Sequence, residues 1–123
     1  MMEILVVDDN DDITGLLNDL LESGGYDVTS INNGKDALNL ILKNSYDVIL
    51  LDVTMPEFSG LDVIQSLKNS GDLEKNKVIL FTAASISDQE IQNWIDMGVK
   101  NCLRKPFDPG MLFESISNVT IQS

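Results

Sequence analysis

The sequence predicts an α/β fold, an open and doubly wound parallel sheet carried by a 123-residue chain. Two observations predict it. Short apolar runs alternate five times with longer segments of helical period. Three of those runs, EILVV (3–7), DVILL (47–51) and KVILF (77–81), are nearly continuous in Val, Ile and Leu. Strands read that way when both faces of a parallel sheet are covered, whereas a half-wet strand alternates.

The elements follow in order. After EILVV, residues Ile13, Leu16, Leu17, Leu20 and Leu21 keep the i, i+3, i+4, i+7, i+8 spacing of one buried stripe. Asn10, Asp11 and Asp12 open that helix as caps, where acids also favour the dipole. Gly24 and Gly25 supply a left-handed stop. YDVTSI (26–31) is the second strand, and Ala37, Leu38, Ile41 and Leu42 form the stripe of the second helix. The third strand, DVILL, runs into Asp52. Leu61, Ile64 and Leu67 serve a third helix that ends near Gly71. KVILF is followed by Ser87-Asp-Gln-Glu90, which reads as a capping box for a fourth helix. That helix buries Ile91 and Ile95 and stops at Gly98. NCLR (101–104) is the fifth strand. The last helix runs from about Pro109, a good first-turn residue, through Leu112 and Ile116 to about Val119. No linker, repeat or low-complexity stretch divides the chain, so residues 1–123 read as one domain.

Composition narrows the chemistry. Twenty acids face eight bases, giving a net charge of −12, and there is no histidine. Such a chain repels nucleic acid and anionic membranes, and no basic patch relieves this, so direct nucleic-acid binding is not expected. The single cysteine, Cys102, suits a reducing cytoplasm, and no apolar run or basic leader suggests a membrane span or signal peptide. Without histidine there is no zinc cluster, no Ser-His-Asp triad and no Cys-His pair. Any metal must be held by oxygen, which points to hard ions.

In a doubly wound sheet, ligands bind beyond the carboxyl ends of the strands. Asp8 and Asp9 follow the first strand, Asp52 ends the third, Thr82 the fourth, and Lys105 the fifth. Two unit charges about 4 Å apart repel by about 4 kcal/mol at an effective dielectric of 20. A hard divalent cation removes that repulsion. Lys105 adds a compact positive charge, and Thr82 offers a hydroxyl to an oxyanion. Nucleophile, metal, cation and donor are the parts of phosphoryl transfer to a carboxylate.

On these residues the chain resembles a response-regulator receiver domain, the family that includes the single-domain chemotaxis regulator. The likeness covers essentially the whole chain. It rests on Asp8-Asp9, Asp52-x-x-Met55-Pro56 with Gly60, Thr82-Ala83 and Lys105-Pro106-Phe107, in that order. The resemblance implies a flavodoxin-like (β/α)5 fold with strand order 2-1-3-4-5. It makes Asp52 the phosphoacceptor, and gives Mg²⁺ or Mn²⁺ to Asp8, Asp9, Asp52 and the backbone carbonyl of Thr54. Asp9 would bind the ion directly and Asp8 more often through water. Thr82 would move toward the phosphoryl group, Lys105 would bridge to it, and Lys105–Pro106 would be cis.

A histidine kinase or histidine phosphotransfer protein is the implied donor, and a downstream protein the implied target of the helix 4–strand 5–helix 5 face. The same face would make the chain a monomer or weak homodimer. Phosphorylation and dephosphorylation would be self-catalysed, so the chain is a phosphoacceptor and not an enzyme in the turnover sense. It is either a stand-alone receiver or the receiver of a longer regulator or hybrid kinase.

Three positions depart from the pattern or vary within it. Cys102 stands where many receivers carry an aromatic ring, and reads as a small buried strand residue. Thr54 and Ala84 offer no carboxamide or carboxylate to position an attacking water, which implies a long-lived phospho-aspartate. Met55 reads as packing. Trp94 either closes the core rim or sits exposed for docking. Two other functions fail on their motifs. A haloacid-dehalogenase-type phosphatase places a second acid two residues after its nucleophile, where this chain has Thr54. An FMN binder needs a Ser/Thr/Gly loop after the first strand, where this chain has DDNDD.

Overall fold

The computed structural model describes residues 2–121. Strands β1 (Glu3–Val7), β2 (Asp27–Ile31), β3 (Val48–Asp52), β4 (Val78–Ala83) and β5 (Asn101–Lys105) form one parallel sheet in the order β2-β1-β3-β4-β5. Helices α1 (Asp11–Ser23), α2 (Gly34–Lys43), α3 (Gly60–Ser70), α4 (Asp88–Met97) and α5 (Pro109–Ile121) alternate with them. The fold is flavodoxin-like, as expected, and so is the strand order.

Each inner strand feeds two cores because successive side chains point to opposite faces. Leu5 and Val7, Ile49 and Leu51, and Val78 and Leu80 meet Ala37, Ile41, Val63, Ile64, Leu67 and Trp94 on one face. Ile4 and Val6, Val48 and Leu50, and Ile79 and Phe81 meet Leu17, Leu21, Leu112, Ile116 and Val119 on the other. The three continuous apolar runs are therefore the three inner strands. The edge strand β2 alternates between exposed and half-buried residues.

Helix ends follow local chemistry. The Asn10 side chain accepts from the backbone N–H groups of Asp12 and Ile13, so it caps α1. Of the two glycines after α1, only Gly25 is left-handed, at φ 90°, while Gly24 stays at φ −84°. Ser59 and Asp62 form a reciprocal capping box on α3 that the sequence reading did not anticipate. At α4 only half of the expected box is present: Glu90 N–H donates to the Ser87 hydroxyl at 3.1 Å.

The predicted stripes are too wide in four places. Leu16 is 69% exposed, Leu42 52%, Leu61 37% and Ile95 36%. A helix against a flat sheet buries a narrower arc than i, i+3, i+4 spacing allows, so the flanking position is left at the surface. In α4 the buried residue is Trp94, with Ile91 and Met97 one turn either side packed on the same core. Trp94 thus belongs to the core rim.

Candidate functional site

The carboxyl ends of β1, β3, β4 and β5 carry the predicted residues. Asp8, the residue after β1, is 1% exposed, Asp52 5% and Thr82 3%. Asp9 is exposed. Carboxylate oxygens of Asp8, Asp9 and Asp52 all lie within 4.8 Å of one another. The ammonium of Lys105, at the end of β5, sits 3.3 Å from Asp52 Oδ1 and 3.4 Å from Asp8 Oδ2. In register Asp52 pairs with Phe81, which places Thr82 one residue beyond it on the adjacent strand.

The two oxygens of Asp52 differ. Oδ1 faces Lys105 and accepts from the Thr54 backbone N–H at 3.3 Å. Oδ2 accepts no hydrogen bond from the described residues, yet among those residues no polar side-chain atom is both sealed from solvent and unpartnered. Oδ2 is therefore open to an incoming group. Asp8 is tied at both oxygens, since Oδ1 accepts from Asn10 N–H at 3.0 Å and Oδ2 faces Lys105.

Burial raises the pKa of Asp52 above the ordinary carboxylate range, and the charge of Asp8 raises it further. Lys105 and the Thr54 N–H act in the opposite sense without cancelling it. One ammonium faces two buried carboxylates, with Asp9 beside them. The donors are all oxygen and the pocket has excess negative charge, so the residues fit a hard divalent cation.

Two loops hold these groups. The β3–α3 loop is closed by Gly60 N–H donating to the Val53 carbonyl at 3.0 Å and by Phe58 N–H donating to that of Pro56 at 2.7 Å. A Cβ on Gly60 would collide with the backbone carbonyl of Asp52, so only glycine lets α3 start this close to the site. Glu57 in this loop has φ 67°. Thr54, in the same loop, is exposed. Beyond β5, Lys105–Pro106 is cis. Phe107 then packs on Phe81 with ring centroids 4.8 Å apart, which fixes the stretch that carries Lys105.

Three features around the site escaped the sequence reading. Arg104, beside Lys105, reaches across to the backbone carbonyl of Ile86 and the carboxylate of Asp88. An apolar groove of about 400 Å³ runs beside Lys105, lined by Ile13, Leu16, Leu17, Leu20, Phe107 and Pro109 among others. The signal for it was the over-wide stripe of α1, where exposed Leu16 follows the periodicity yet has no core to enter. Glu57 carried no signal at all, because left-handed backbone at a glutamate is not written in its residue type. Cys102 is half-buried and packs against the core with Trp94. Burial pushes its thiol up to about 11. Ala84 is exposed in the loop after β4.

Comparison with known proteins bears on this arrangement. A family model described as the response regulator receiver domain matches residues 4–117. The CpxR homolog of Haemophilus influenzae, a transcriptional regulatory protein, is 33% identical over 123 residues, covering all of this chain and 52% of that protein. The response regulator SaeR of Staphylococcus epidermidis is 31% identical over 119 residues, 97% of this chain and 50% of the relative. The chain thus spans about half the length of these curated relatives. Among solved structures, the receiver domain of the Francisella response regulator 1452 superposes with a TM-score of 0.90 at 29% identity, covering 99% of this chain and 98% of that one. The chemotaxis protein CheY4 of Vibrio cholerae gives 0.85 at 28% identity, covering 97% and 98%.

Proposed function

This chain belongs to the response regulator receiver domain family, and on that premise we propose that it accepts a phosphoryl group on Asp52. The observation that carries the reading is the open Oδ2 of a buried carboxylate whose other oxygen is held by Lys105 and the Thr54 N–H. The acceptor oxygen attacks phosphorus, the bond from phosphorus to the donor nitrogen or oxygen breaks, and the electron pair leaves with the donor. Lys105 stands beside the oxygens that gather negative charge, and Thr82 offers them its hydroxyl. Asp8, Asp9, Asp52 and the Thr54 carbonyl hold Mg²⁺ or Mn²⁺, and the ion, when bound, supplies positive charge against the carboxylates and the phosphoryl oxygens. Turnover is not the purpose. The product is the phosphorylated chain itself, whose acyl phosphate carries about −1.5 to −2 charges where the carboxylate carried one.

The donor is a histidine kinase or histidine phosphotransfer protein, and the α1 groove beside Lys105 supports its seat. An apolar trough with Lys105 in its lining, opening onto the reacting edge, suits the apolar face of an amphipathic helix. The α4–β5–α5 face carries the altered state to a downstream protein, with the chain a monomer or weak homodimer. Residues 1–123 act as one receiver, and the second reading, the receiver of a longer regulator or hybrid kinase, is supported by relatives about twice this length. With Thr54 and Ala84 offering no carboxamide or carboxylate to orient water, the phospho-aspartate is long-lived, and a lifetime of only seconds would refute that.

The test is the intact mass after incubation with acetyl phosphate and Mg²⁺. Wild type gains one phosphoryl group, and Asp52→Asn, or omission of Mg²⁺, abolishes the gain. A gain retained in Asp52→Asn would assign the nucleophile elsewhere.

A further inference from the structure

The segment between Thr82 and α4 is short and pinned at one point. Ile86 N–H donates back to the Ala83 carbonyl at 3.2 Å, closing a turn directly after β4. Ser87 then caps α4. The Ile86 carbonyl points to the neighbouring strand, where one guanidinium takes it from two directions: Arg104 Nε donates at 3.3 Å and Nη2 at 3.2 Å. Nη2 also meets the Asp88 carboxylate in the first turn of α4.

In register Arg104 is the partner of Thr82, and its chain neighbour is Lys105. A single side chain therefore ties the strand that carries Lys105 to the loop that leaves Thr82. The position two residues earlier, Cys102, has no ring that could swing with Thr82. Because Asp88 is 97% exposed, the ion pair itself adds little, and the doubly held carbonyl is the specific contact.

We infer that Arg104 is a positioning residue, a latch that holds the β4–α4 loop in its resting place and opposes movement of Thr82 toward a phosphorylated Asp52. The inference rests on the phosphoacceptor reading. A contact that favours one of two states shifts the balance by its differential strength, so the latch couples occupancy of Asp52 to the start of α4. Phosphorylation draws the loop off Arg104, and the freed guanidinium and the shifted first turn of α4 are what a partner meets. A contact of equal strength in both states would couple nothing.

The experiment compares wild type, Arg104→Met, Arg104→Lys and Asp88→Asn. Amide hydrogen exchange over residues 83–90 is followed with and without beryllofluoride and Mg²⁺, beryllofluoride serving as the phosphoryl mimic. The rate of phosphorylation by acetyl phosphate is measured alongside. In wild type, protection over 83–90 falls when the mimic binds. In Arg104→Met it is already low in the resting protein and changes little, and phosphorylation is faster by about five-fold or more. Arg104→Lys, which keeps the charge but not the two-pronged hold, falls between. Asp88→Asn behaves as wild type. Equal exchange and equal phosphorylation rates in wild type and Arg104→Met overturn the latch. So does a uniform loss of protection across the sheet, which is the mark of a merely structural role. Should no variant be phosphorylated or bind the mimic, the phosphoacceptor reading fails, while the resting-state exchange still reports separately on the contact.

Discussion

Asp52 is a charge held where the fold would rather have none. Its folded pKa is raised, first by burial and then by Asp8, so the folded state keeps its proton at a higher pH than the unfolded chain does. Stability from this group therefore falls as pH rises through the window between the ordinary carboxylate value and the raised one, and the penalty is complete above it. Asp52→Asn should unfold at higher urea than wild type at neutral pH in EDTA, with a gain of about 1 kcal/mol. The gain should shrink as the pH approaches the ordinary carboxylate range. Equal urea midpoints across that range would show that Lys105 already neutralises the pocket. Cys102 poses the opposite question, since its thiol is pushed up to about 11 by burial and little thiolate exists at neutral pH. Its reaction with a disulfide reagent should run on the order of a hundred-fold slower than that of an exposed cysteine, and a rate within a few-fold would contradict the packing described.

At the scale of elements, two helices set the site. The first turn of α3 begins against the carbonyl of Asp52, with room for a hydrogen at Gly60 and nothing larger. Gly60→Ala should cost about 1–3 kcal/mol through the shift it forces in the β3–α3 loop. Phosphorylation should slow with it, because the loop also carries the Thr54 N–H that orients Asp52. Helix α1 contributes an exposed Leu16 at the groove beside Lys105. Leu16→Ala should slow transfer from a protein donor several-fold while leaving phosphorylation by acetyl phosphate unchanged. A small donor needs no groove. If both rates fell together, the groove would be part of the pocket's support and not a docking seat.

For the whole molecule, a cation held by the acids at one sheet edge would be linked to folding. An ion that binds the folded pocket and not the unfolded chain raises the unfolding temperature by mass action. Millimolar Mg²⁺ should stabilise wild type, and Asp8→Asn or Asp9→Asn should lose most of that increment. An increment unchanged in both variants would move the ion away from this edge.

Several parts of this design were legible in the residues themselves. Continuous apolar runs marked β1, β3 and β4, because a strand covered on both faces has no position to give to water. Asp8, Asp9, Asp52, Thr82 and Lys105 could be placed together because a doubly wound sheet collects strand ends on one side. The tertiary structure alone decided how wide a stripe each helix buries. It turned Trp94 inward and left Leu16 and Ile95 at the surface, since burial depends on the curvature of the surface met and not on spacing. It also decided which oxygen of Asp52 is free and which carbonyl Arg104 grips. Those depend on contacts between residues far apart in the chain, and local sequence carries no term for them.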